Sequence, residues 1–157
     1  MKKVIALMMG SVAMFTAQAA NATTYSPTGA WSFSGTVDVN KGIALTCTLD
    51  LDATTTSSTA TATPALSGGA FGLCGTIGFT GAPYNVSYNS STSTLTIEDV
   101  YVNTITSGDC AGDISGTWDE VNNTITIDAV LPAVSGGGDC TIAGTISLTS
   151  PGDVSIT

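Results

Sequence analysis

The chain has 157 residues, with three basic side chains, twelve acidic ones and no histidine, for a formal net charge of −9. The basic residues are Lys2, Lys3 and Lys41, so there is neither a Ser/His/Asp triad nor an arginine clamp for phosphate or an oxyanion. No basic cluster is present to neutralise nucleic acid or anionic lipid headgroups.

Read in chain order, Met1 to Ala22 starts with Lys2 and Lys3, continues through the apolar run 4-VIALMMGSVAMF-15 and ends in the small residues Ala20-Asn21-Ala22. That pattern predicts a secretory signal peptide over 1–22, leaving Thr23 to Thr157 as one β domain. No stretch reaches the roughly 20 apolar residues of a membrane span. Without the two leader lysines the balance is 1 − 12 = −11. The surface is therefore built mainly from Thr, Ser, Gly and Asn.

From Trp31 onward, apolar and polar residues alternate in 31-WSFSGTVDV-39, 43-IALTCTLDL-51, 84-YNVSY-88, 94-TLTIEDVYV-102, 124-TITIDAV-130 and 141-TIAGTISL-148. A period of two rich in Thr, Val, Ile and Tyr predicts half-buried strands. Turn signals at 40-NKG-42, 81-GAP-83, 89-NSSTS-93, 119-DEVNN-123 and 135-SGGG-138 separate them. The expected fold is all-β: a single antiparallel β-sandwich, or an open barrel, of about 8–10 short strands. Two hairpins are expected, Tyr84–Tyr88 with Thr94–Val102 and Ile114–Trp118 with Thr124–Ala129. The low-complexity segment 53-ATTTSSTATATP-64 reads as a loose loop or as an edge strand open to pairing with a neighbour. The phrase Gly-Thr-hydrophobic recurs at Gly35, Gly75, Gly116 and Gly144, but its uneven spacing does not suit a solenoid.

Four cysteines, Cys47, Cys74, Cys110 and Cys140, in an exported chain without histidine or a CxxC knuckle predict disulfides rather than zinc. Three connectivities are possible, and Cys47–Cys74 with Cys110–Cys140 is favoured. Its basis is the pair of phrases 108-GDCAGDISGTW-118 and 138-GDCTIAGTISL-148, which are expected to open neighbouring strands of similar shape. Candidate chemistry is thin. A two-carboxylate pair is conceivable, for example Glu98 with Glu120 or Asp119, and Asp109, Asp113 and Asp139 are the better candidates, for calcium. All of these stand in turns or on solvent faces, where capping a backbone N–H is the commoner use. No cofactor and no enzymatic activity are expected. The aromatic residues fall on strands, where core packing is the default, although an exposed Trp or Tyr row would suit a sugar or an oil surface.

The segments 41-KGIALTCTLDL-51, 72-GLCGTIGFTGAPYNVS-87, 107-SGDCAGDISGTW-118 and 131-LPAVSGGGDCTIAGTISLTSPGDVSI-156 resemble the small secreted bacterial family of alkane oxidation protein activators, PraA/PraB. The resemblance covers the mature chain and all four cysteines. It implies an extracellular, non-enzymatic protein that promotes hydrocarbon uptake or oxidation and is linked to the cell surface and biofilm. The expected partner is a hydrocarbon/water interface or the cell surface. The alternative is a surface-fibre or matrix subunit that polymerises with itself by β-strand addition.

Overall fold

A computed structural model describes residues 22–157; the expected leader, apart from Ala22, lies outside the described residues. Eleven strands form: β1 (Tyr25–Ser26), β2 (Gly29–Asn40), β3 (Ala44–Thr55), β4 (Ala60–Ser67), β5 (Gly78–Thr80), β6 (Tyr84–Asn89), β7 (Thr94–Asn103), β8 (Cys110–Asp119), β9 (Thr124–Leu131), β10 (Cys140–Ser150) and β11 (Ser155–Ile156). A 3-10 segment, Ala70–Thr76, joins β4 to β5. Both expected hairpins are present, with Asn89 opposite Thr94 in one and Asp119 opposite Thr124 in the other.

The main sheet runs β7-β6-β4-β3-β2-β10-β9-β8, and β8 pairs back onto β7. It is therefore a closed eight-stranded antiparallel barrel, not a sandwich and not an open barrel. Strand β5 continues the edge of β7 beyond the point where β6 ends. Closure needs strands that bend, and two features supply the bend. A bulge in β7 sets Glu98 and Asp99 between the pairs Ile97↔Ile114 and Val100↔Gly112; Asp99 has φ 53° and donates its N–H to Asp113 Oδ1 at 2.9 Å.

The second feature is glycine on the inner face. Inward side chains alternate along each strand, as in Trp31, Phe33 and Val37 of β2 or Cys140, Ile142 and Ile146 of β10. Gly35, Gly116 and Gly144 occupy inward positions in that alternation. A Cβ on Gly144, whose φ is 155°, would come within 2.8 Å of the Val37 Cα, and one on Gly35 within 2.7 Å of the Ile146 Cα. Gly116 and Gly144 both face Ile127 of β9, so one large side chain fills the space two glycines leave. Three of the four Gly-Thr-hydrophobic phrases are thus one device. In the fourth, Gly75 lies in the 3-10 segment with open space around it.

The segment 53–64 is neither a loose loop nor an edge. It forms the end of β3, a turn and the start of β4, with Ala62 paired to Ala53 on one side and Tyr84 on the other. The end of the barrel near this turn is stoppered by the short strands β1 and β11. Strands β1 and β11 pair there, with Tyr25 opposite Ile156, and bury Tyr25, Val154 and Ile156. Tyr25 meets Trp31 edge-on at 6.0 Å, and the Trp31 indole donates to the Pro27 carbonyl at 2.8 Å.

The glycine account separates two copies of one phrase. Gly144→Ala is expected to cost at least about 3 kcal/mol, because the added carbon meets backbone and the φ is unfavourable. Gly75→Ala should change stability by no more than about 0.5 kcal/mol. Urea denaturation of both variants checks this; equal effects would refute the inner-face role.

Candidate functional site at the apolar end of the barrel

At the end opposite β1 and β11, four connections meet: the β2–β3 turn, the 3-10 segment, and the β7–β8 and β9–β10 loops. The two Gly-Asp-Cys phrases build this end. Gly108 has φ 82°, and a Cβ there would overlap the carbonyl oxygens of Ser135 and Gly136 on the facing loop. Asp109 accepts hydrogen bonds from the Thr104 N–H at 3.2 Å, the Tyr101 hydroxyl at 3.1 Å and the Asn103 amide at 3.4 Å. The bond to Asp109, followed by desolvation and the carboxylate charge, raises the Tyr101 pKa. Asp139 accepts from the Ala133 N–H at 3.0 Å. Each Asp therefore ties down the loop that leads into its own strand.

Each Cys then enters a bridge. Cys110 is bonded to Cys140 and Cys47 to Cys74, with Cα separations of 6.1 and 5.7 Å. Strands β8 and β10 are not neighbours, however: β9 lies between them, and Cys140 sits opposite Leu131. The bridge spans the end of β9 and fixes two strands that run in the same direction. The other bridge ties the 3-10 segment to β3. The sole basic residue among the described ones, Lys41, is only 8 % exposed; its Nζ donates to the Gly138 carbonyl at 2.9 Å and lies 3.3 Å from Cys110 Sγ. It pins the β2–β3 turn to the β9–β10 loop.

Beneath these loops is a cavity of about 60 Å³. Val39, Leu45, Leu66, Phe79, Val102 and Ile142 line it, Ile114 and Leu131 also contribute, and Ile43 and Ile105 border it. Ile43 and Ile105 are 49 % and 40 % exposed, so this part of the cavity's border lies at the surface. A second cavity of about 40 Å³ lies deeper, and Ile114 lines both. Large apolar side chains also stand on the outside of this end. Phe71, 100 % exposed, projects from the 3-10 segment with φ 55°, and Val134 is exposed on the β9–β10 loop. A left-handed backbone at a non-glycine residue costs on the order of 1 kcal/mol. The fold holds this phenyl ring in water despite that cost.

The family described as alkane oxidation protein activator PraA/PraB-like matches residues 1–156, essentially the whole chain. The protein belongs to the PraA/PraB family. This is the family the four quoted segments resemble. Comparisons with curated proteins and with solved structures give no match. The PraA/PraB description is that of an activator of alkane oxidation, not of an oxidising enzyme.

The other sequence candidates in this PraA/PraB chain fall apart in space. Asp109, Asp113 and Asp139 each accept from a different backbone N–H, and among the described residues no group of three acidic or cysteine side chains gathers as metal ligands. Asp119 caps its own hairpin turn, accepting from the Val121 and Asn122 N–H groups and the Asn122 amide, which lowers its pKa. Glu120 accepts from the Ser155 hydroxyl at 2.7 Å. Thr94 faces Thr117 across β7 and β8. That register leaves Glu98 about six residues along the sheet from Asp119, or about 20 Å, far beyond a glycosidase pair. Trp31, Phe33 and Trp118 are buried, as core packing predicts, and Phe33 meets Trp118 edge-on at 6.1 Å. Periodicity had no means of singling out Ile43, Phe71, Ile105 and Val134. Their signal is an apolar residue inside a connection, where a polar one is the rule.

Loss of the bridge across β9 should act on stability. Cys110→Ser is expected to leave Cys140 as a free thiol and to destabilise the fold by about 2–5 kcal/mol. Thiol labelling and urea denaturation measure the two effects. A variant with wild-type stability would show that this end of the barrel does not depend on the bridge.

Proposed function

We propose that this protein is a secreted, non-catalytic, surface-active protein that promotes access to alkanes by settling apolar end first on a hydrocarbon/water boundary. The observation that carries the reading is the placement of exposed apolar side chains. Six large ones are exposed among the described residues: Ile43, Phe71, Ile105, Val121, Val130 and Val134. Four of these, Ile43, Phe71, Ile105 and Val134, stand on the connections at one end, and Val130 is on the wall just below. Val121 alone marks the opposite end.

The walls have the opposite character. Outward positions of β2 and β3 hold Ser32 against Asp52 and Ser34 against Asp50, and Thr46 donates to Asp38. Such a wall stays hydrated while the end face loses contact with water. Burying a Val, Ile or Phe side chain fully is worth about 1.5–3 kcal/mol, so four partly to fully exposed ones supply several kcal/mol of adsorption. The acidic surface keeps coated droplets apart. Two bridges close to the adsorbing end support its persistence at a boundary that unfolds looser proteins. The alternative, polymerisation by strand addition, has less support, since the 53–64 strands and the two terminal segments find partners within the chain.

Purified mature protein is expected to lower hexadecane/water tension more than an inert acidic β-protein of similar size. The variant Ile43→Ser, Phe71→Ser, Ile105→Ser and Val134→Ser should keep the wild-type far-UV spectrum and lose most of that activity. Wild-type protein with no effect on tension would sink the reading.

A further inference from the structure

We propose that the cavity under the apolar end is a binding site for the end of an unbranched alkane chain. The inference goes beyond adsorption at a surface, because it places one chain end inside the barrel, where dissolved alkane is bound without any oil phase. It rests on lining, size and access.

The lining is mostly apolar, and its polar members are turned outward or engaged within the protein: Asn40 is exposed and accepts from the Gly42 N–H, and Thr141 faces outward on β10. The hydroxyl of Thr104 already donates to the Gly108 carbonyl at 2.6 Å, and Lys41 is engaged with Gly138. Thr106, beside them, turns its hydroxyl toward that of Thr104 at 3.4 Å. An occupant bearing a hydroxyl or carboxylate would have to compete with these bonds to pair that group, whereas a hydrocarbon leaves nothing unpaired. Size narrows the class further. A cavity of about 60 Å³ is well below the roughly 150 Å³ that takes up a benzene ring. A slender methyl-terminated chain enters end-on, and its remainder lies between Ile43 and Ile105 on the apolar face. Ile114 lines both the mouth cavity and the inner one. Small eight-stranded barrels are wide enough inside for a single small ligand.

Methyl NMR of the mature protein with n-hexane dissolved below saturation tests the site. Saturable shifts are expected at Leu45, Val102 and Ile142, with much weaker ones from cyclohexane, which is as apolar but wider. Hexanoate, carrying the same chain with a charge, should bind more weakly than hexane. Ile105→Trp, a rim substitution at a partly exposed position, should weaken hexane binding at least tenfold with the rest of the spectrum retained. Ile114→Ala joins the two cavities and should shift the preference from hexane toward decane; thermal unfolding of the same sample verifies that it is folded. Unmoved cavity methyls, or cyclohexane binding as well as hexane, would overturn the proposal. Tighter binding of hexanoate would overturn the alkane assignment. Shifts confined to Val134 and the Phe71 ring would refute the cavity site while leaving the adsorbing face intact.

Discussion

The close approach of neighbouring strands at the inward glycines is the constraint on which this structure depends. Gly35 and Gly144 let β2 and β10 come nearer than any side chain on either would permit. With the β7 bulge, that approach curls the sheet until β8 meets β7. Closure pairs the edges of β7 and β8 with each other, and the segment 53–64 lies inside the sheet, with Ala60, Thr61 and Ala62 paired on both sides. It also divides the chain's alternating pattern cleanly. The apolar half of every strand points into one core and the Thr, Ser and Asp half into water.

With the walls committed in this way, the two ends are where the molecule differs from a generic barrel. One is sealed where β1 pairs with β11, through Tyr25, Val154 and Ile156. The other is built from connections held by two disulfides, two capping aspartates and one buried lysine, each acting on the backbone of a loop. Those constraints allow a loop to keep Phe71 or Ile105 exposed without collapsing inward to hide it. Exposed apolar side chains and a mostly apolar cavity thus share one end of the barrel, while the walls carry Ser, Thr and Asp.

Much of the fold was legible in the chain. Period-two alternation marks β2, β3, β6, β7, β9 and β10 nearly to their ends, and the Asn/Asp-rich turns identify the β6–β7 and β8–β9 hairpins. Closure was not legible, because alternation describes which face of a strand is buried and says nothing of whether the sheet meets itself. The glycines that decide it look, in a sequence, like turn residues. The segment 53–64 misled for a related reason: Ala60 and Ala62 are small enough to pass for spacers, yet they face the core. The repeated Gly-Asp-Cys phrase correctly suggested a bridge between two strand starts, but it could not reveal that β9 stands between them. The apolar end was invisible because it consists of four residues from four separate connections.

The central claim is that this end of the barrel, and no other part, meets the hydrocarbon while the barrel stays closed. Hydrogen exchange of the protein adsorbed on hexadecane droplets, read by mass spectrometry against the protein free in buffer, tests it most directly. Peptides covering 40–44, 68–78, 104–109 and 132–138 should gain protection, and the turns at 56–59, 90–93 and 120–123 should exchange as they do in solution. Uniform protection over both ends, or faster exchange throughout the strands, would contradict the account.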